Sequence, residues 1–138
     1  TLCSTFKCAE CGHRLISGKP ASDIQEQRTI PPFLRQRDTL TDATTKAGCF
    51  FLSTMTGRGG LQPSTDSKSG LNTRYVEQED ICVQFLVCGQ CAKSVAAPQQ
   101  PSPVVGAQVQ LAAGSGARFS KGQMWLFYSS TRREAEDS

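Results

Sequence analysis

The chain has 138 residues, a length that accommodates one domain with a modest core. Its 15 basic and 12 acidic residues are interspersed and leave a net charge of +3, which falls short of the clustered basic face expected of a nucleic-acid binder. No apolar run approaches the roughly 20 residues that span a bilayer, and no apolar leader segment opens the chain.

Hydrophobic residues make up 38% and aromatic residues 7%, a lean supply for a core. A lean domain is commonly helped by a staple. The seven cysteines supply one. An odd number fits a closed disulfide framework poorly and fits reduced cysteines around a metal better.

In chain order, the first motif that carries chemistry is Cys8-Ala9-Glu10-Cys11. A two-residue gap lets both thiolates of one tight turn face a single ion, and Gly12 eases the turn. His13, the only histidine, is an alternative ligand if a cysteine is spared. A short helical turn is expected around Ile24 to Arg28. Cys49-Phe50-Phe51-Leu52 reads as a short apolar strand. Thr56 to Thr73 is rich in Gly, Ser and Thr and reads as a long mobile loop. Ile81 to Val87 is β-branched and apolar, a strand that delivers the second motif, Cys88-Gly89-Gln90-Cys91. Pro98 to Pro103 is a linker or loop. Val104 to Leu111 alternates toward its end as a strand does, and Ala112 to Ala117 reads as a hairpin connection. Met124 to Tyr128 is the most aromatic stretch and is expected to be a core strand that buries Trp125. The charged tail Thr131 to Ser138 is expected to fray.

The two CxxC pairs supply four sulfurs, the ligand set of a tetrahedral structural zinc site made by Cys8, Cys11, Cys88 and Cys91. Because 76 residues lie between Cys11 and Cys88, one ion ties distant parts of the chain together. Iron in the same thiolate set and two disulfides are the alternatives. Cys49 and Cys82 lie in apolar strands and read as buried hydrophobes, whereas Cys3 sits near the terminus and is expected to be exposed. A zinc with four cysteine ligands has no open position, and no other residues form a catalytic set. The chain is therefore read as a binding protein rather than an enzyme. The expected class is mainly β: one domain of small antiparallel sheets joined at the metal, with long loops near 56–73 and 98–117.

Four islands of sequence resemble a known family. Cys8-Ala9-Glu10-Cys11-Gly12-His13-Arg14-Leu15-Ile16 is similar to the first knuckle of the Mss-four-like Rab-interacting factors. Pro32-Phe33-Leu34-Arg35-Gln36-Arg37 is similar to a basic stretch downstream in that family, and Val83 to Cys91 resembles its second knuckle. Trp125-Leu126-Phe127-Tyr128 through Arg132 falls where the family's last strand lies. The resemblance implies a β-tent fold over one four-cysteine zinc, and a partner of the Rab type of small GTPase. By that resemblance the chain binds the nucleotide-free GTPase, releases guanine nucleotide and acts as a holding chaperone in the cytoplasm. The partner surface implied is the second knuckle, with Gln84, Leu86 and Gln90, together with Arg35 and Arg37.

This sequence departs from that family in four places. The acidic and aromatic segment before the second knuckle is replaced by the Gly/Ser/Thr-rich stretch, Gln90 stands where an acidic residue is usual, Ala92-Lys93-Ser94-Val95 replaces the Gly-Pro-Ile-Gly run that follows the second knuckle, and Pro98 to Gly116 reads as an insertion. The yippee proteins, their centromere-priming relatives and the CULT domain are thought to share the fold, and the islands resemble them at lower quality. They imply, respectively, a nuclear or adaptor interaction module and a small-ligand pocket. Methionine sulfoxide reductases also carry two CxxC pairs, but they need a reactive late cysteine, and every cysteine here lies at or before Cys91.

Overall fold

The computed structural model describes residues 2–35, 48–54, 56–64, 73–93, 104–112 and 118–137. Its strands are β1 (Leu2–Cys8), β2 (Arg14–Pro20), β3 (Ile24–Gln27), β4 (Cys49–Leu52), β5 (Leu61–Pro63), β6 (Thr73–Val76), β7 (Ile81–Cys88), β8 (Val104–Ala112), β9 (Met124–Phe127) and β10 (Thr131–Asp137). One five-residue helix, α1 (Gly89–Lys93), follows β7. The class is mainly β, as the alternating and apolar runs predict.

The described strands form two antiparallel sheets. Sheet A has the order β10-β1-β2, and sheet B runs β3-β4-β9-β8-β7-β5. Strand β6 also pairs with β7, at its N-terminal end, through Thr73↔Gln84 to Val76↔Ile81. Strand alternation gives sheet B two faces. Phe51, Trp125 and Ala107 are cross-strand neighbours in one row, and Phe50, Leu126 and Gly106 in the next. The first row belongs to a core with Val83, Phe85, Val109, Phe127 and Leu34. The second belongs to a core with Leu52, Leu86, Met124 and Val105, and sheet A covers it with Phe6, Leu15 and Ile16. Burying a side chain such as Phe6 or Leu15 is worth about 1.5–3 kcal/mol, so this face couples the two sheets. Phe6 meets Phe50 with ring centroids 5.1 Å apart.

Three expectations are corrected. Ile24 to Gln27 is an edge strand rather than a helical turn, paired with β4 from Ile24↔Leu52 to Gln27↔Cys49. The open backbone edge of β4 outweighs the weak helical preference of a short polar segment. The tail is β10, in register with β1 from Leu2↔Asp137 to Cys8↔Thr131. Residues 132–135 are all exposed, so no apolar alternation marks this strand. Backbone pairing and cross-strand charges hold it: Lys7 pairs with Glu134 at 2.9 Å, and Arg133 reaches Ser4 Oγ at 2.9 Å and Glu26 at 3.1 Å. The stretch 98–117 is not simply a loop, because its middle is β8, a central strand hydrogen-bonded to both β7 and β9. Residues 94–103 and 113–117 lie outside the described residues.

Of the three remaining cysteines, Cys49 is fully buried as expected, while Cys82 and Cys3 are half-buried. Burial pushes the Cys49 thiol from its ordinary 9.0 up to about 12. A raised folded value means that the buried thiol contributes fully below about pH 9, and that this contribution is lost as pH rises toward 12. The wild type should therefore lose stability across that window more steeply than Cys49→Ala. Denaturant melts of both proteins at pH 7.5, 9 and 10.5 check this; parallel curves would contradict it.

Candidate metal centre

The first knuckle sits in the β1–β2 connection. The Cys8 N–H donates to the His13 carbonyl at 2.8 Å, and the Gly12 N–H donates to the Cys8 carbonyl at 2.9 Å. Gly12 adopts φ +76°, a left-handed turn that favours glycine. The segment running into β10 braces this turn: the Ala9 N–H donates to the carbonyl of Ser130, just before the strand, at 3.0 Å, and Arg132 in β10 donates to the Ala9 carbonyl at 2.9 Å. The second knuckle straddles the end of β7 and the first turn of α1, so Cys88 closes the strand and Cys91 lies in the helix.

The structure brings together all four cysteines that the spacing singled out. The sulfurs of Cys8, Cys11, Cys88 and Cys91 lie within 4.8 Å of one another. The close pairs run across the knuckles: Cys8 to Cys91 is 3.7 Å and Cys11 to Cys88 is 3.6 Å. A tetrahedron with metal–sulfur bonds of about 2.3 Å has sulfur–sulfur edges of about 3.8 Å. A disulfide would need about 2.05 Å. The arrangement therefore fits one ion bound by four thiolates, and a small cavity of about 30 Å³ lies beside the cluster, lined by Cys8, Cys88 and Cys91 together with Glu10, Val105, Ser129 and Ser130. His13 is not in the group. Its carbonyl shapes the first turn, and its ring packs against Gly60.

The electrostatics call for a cation. Burial pushes the Cys91 thiol well above its ordinary range, and the neighbouring thiols add to this. Burial also raises Cys88, although the N–H groups of Cys91 and Gln90 oppose it. At Cys11 burial pulls upward too, but the His13 N–H and the facing sulfurs outweigh it, and the thiol is lowered. Four thiolates this close repel one another, and a dication reverses that repulsion.

Sequence reasoning missed what clamps the knuckles together. Gly60 donates its N–H to the Leu15 carbonyl at 2.8 Å, and its own carbonyl accepts the Gly89 N–H at 2.9 Å. One residue thus bonds to β2, beyond the first knuckle, and to the start of the second. Leu61 then pairs with Cys88 as β5 begins. Residues 56–64, read from sequence as part of a mobile loop, form this clamp and an edge strand; 65–72 lie outside the described residues. The signal was present in the Gly59-Gly60 pair, which permits the backbone to approach closely.

The expected partner residues do not share one face. Gln90 is exposed on α1. Gln84 is half-buried and accepts a hydrogen bond from Gln110 Nε2 at 2.9 Å. Leu86 is a correction: it points to the covered face of sheet B and is fully buried among Phe6, Leu15 and Leu126. Arg35 is exposed, but it ends the segment whose Leu34 packs on the other face of sheet B. Arg74 holds that segment by donating to the carbonyls of Phe33 and Arg35, each at 3.0 Å. Arg37 lies outside the described residues.

In comparisons with known proteins, no family model and no curated protein matches this chain. No helix among the described residues is long and apolar enough to cross a membrane.

Proposed function

We propose that this chain is a non-enzymatic binding module stapled by one zinc ion, and that its partner is a Rab-type small GTPase held in the nucleotide-free state. The observation that carries the zinc reading is the cluster of four sulfurs at tetrahedral spacing, contributed by two turns distant in sequence. Cys8, Cys11, Cys88 and Cys91 would hold the ion and leave it no open coordination position, which suits a structural role. Soft thiolate ligands favour zinc, with iron the competing metal.

The GTPase reading rests on the resemblance of the two knuckles to the Mss-four-like factors. A protein that binds an empty GTPase more tightly than a loaded one shifts the equilibrium toward nucleotide loss without covalent chemistry. The exposed residues of the expected surface are Gln90 on α1 and Arg35, with Gln84 on β7 half-buried. The metal fixes α1 against sheet A, so a rigid second knuckle is offered to the partner at little ordering cost.

A second reading, an adaptor of the yippee type, draws support from a row of side chains on sheet B. Tyr75, Cys82 and Leu111 are cross-strand neighbours, and Tyr75 and Leu111 are 60% and 59% exposed. Such a row suits an assembly contact. A pull-down of zinc-loaded protein with a panel of nucleotide-free and nucleotide-loaded small GTPases separates the two readings. The GTPase reading predicts capture of an empty GTPase only, weakened at least fivefold by Gln90→Arg. No complex with any GTPase, together with self-association abolished by Tyr75→Ser and Leu111→Ser, would replace it with the adaptor reading.

A further inference from the structure

The face of sheet B that sheet A leaves uncovered carries a cavity of about 800 Å³, lined by residues that include Phe33, Phe51, Phe119 and Trp125. That size is typical of small-molecule sites. The cavity lies across sheet B from the four cysteines, because Phe51 and Trp125 belong to one core and the cysteines of the knuckles to the other. The four rings form a connected floor. Phe119 meets Trp125 at 5.1 Å and Phe51 at 5.9 Å, and Phe33 meets Trp125 edge-on at 5.7 Å.

The floor contains one unsatisfied polar group. The Trp125 indole Nε1–H is buried and has no hydrogen-bond partner among the described residues. A buried donor left unpaired costs about 1–3 kcal/mol, and natural cores seldom carry that cost without a use. Around the rim, Arg118 grips Glu79 through two bonds of 2.9 and 2.6 Å and lies over the Phe119 ring, 5.2 Å from its centroid. Gln25, Gln27 and Gln78 complete the polar rim.

We propose that this cavity binds a small planar molecule bearing a carbonyl or similar strong acceptor, which the Trp125 indole N–H recognises. The chemistry selects that class. The flat apolar rings call for a flat apolar body. The lone donor calls for an acceptor, and the positive end of the indole N–H disfavours a cationic guest; Arg118 adds no net charge, because Glu79 neutralises it. The rings touch one another rather than stand apart, so they do not form a cage for an ammonium group. The N–H is sealed from water, so an acceptor must displace the half-buried Phe33 or Phe119 to reach it; both rings lie at the margin of the core rather than within it. This site stands independently of the metal and of the GTPase reading.

The test uses the full zinc-loaded chain labelled with ¹⁵N. Trp125 is the only tryptophan, so one indole N–H resonance reports the site. Benzamide should move that resonance downfield and saturably, while benzene, the same ring without an acceptor, should bind at least about fivefold more weakly. Trp125→Phe, followed by ligand-observed NMR, should erase the preference for benzamide over benzene. Phe119→Ala, at the half-buried edge of the floor rather than within the core, should weaken both ligands without changing metal content. An indole resonance that benzamide does not shift saturably, or an equal response to benzene, would overturn the proposal.

Discussion

Cys88→Ser is expected to abolish cooperative unfolding at 25 °C and to weaken metal binding by at least a thousandfold. Cys88 joins three parts of the molecule. It ends β7, pairs with Leu61 of β5, and places its sulfur 3.6 Å from Cys11. Structural zinc in small domains contributes apparent binding energies of roughly 10–16 kcal/mol at neutral pH, comparable with the whole stability of a domain, about 5–15 kcal/mol. Closing the loop of 76 residues between Cys11 and Cys88 removes further freedom from the unfolded chain, worth roughly 4 kcal/mol on the chain-entropy estimate. Serine keeps the size but not the soft thiolate, and the three remaining thiolates would be left close together around a weakened ion. Cys82→Ser, at a half-buried position outside the cluster, should cost about 1 kcal/mol or less. Thermal melts of the three proteins, with and without a chelator, check this. A cooperative Cys88→Ser melt within a few degrees of wild type would refute the staple.

Gly60→Ala is the second large effect, expected to cost about 2–4 kcal/mol and to loosen the metal together with the fold. A Cβ at Gly60 would overlap the Arg14 carbonyl oxygen and the His13 ring. The Arg14 oxygen is backbone at the start of β2, so it cannot yield as a flexible side chain would. Relief would have to break the hydrogen bond from Gly60 to Leu15, the bond from Gly89 to Gly60, or both. Those are the bonds that hold the two knuckles in register. Gly57 provides the control, since a Cβ there meets nothing within 4 Å. Gly57→Ala should stay within about 0.5 kcal/mol of wild type by denaturant melts. Equal stability of the two variants would show that Gly60 is not the clamp.

The parts legible in the sequence are those where chemistry or burial leaves a local mark. The CxxC spacing identified the four cysteines because a two-residue gap is itself the geometry of a metal turn. Strands β4, β7 and β9 were legible because sheet B buries nearly every side chain in them, so they read as continuous apolar runs. Trp125 and Cys49 followed from those runs. Strand β10 was hidden because its residues 132–135 face solvent and what organises them is backbone pairing to β1, some 130 residues away in sequence. Strand β3 was hidden because an edge strand of Gln and Glu is specified by its neighbour rather than by its own side chains. The clamp at Gly60 was hidden because glycine signals freedom in isolation and close approach only when the neighbouring strand is known. Leu86 was misplaced for a related reason: a strand buried on both faces gives no alternation by which to tell outward from inward positions.

The central claim is that one metal ion, held by four thiolates, joins sheet A to the end of β7. Titration of the metal-free, reduced protein with cobalt(II) tests it most directly. The account predicts saturation at one ion per chain, with sulfur-to-cobalt charge-transfer bands and intense visible bands of tetrahedral four-thiolate coordination, displaced by zinc. Saturation without thiolate bands, or their persistence after Cys8, Cys11, Cys88 and Cys91 are all replaced by serine, would contradict it.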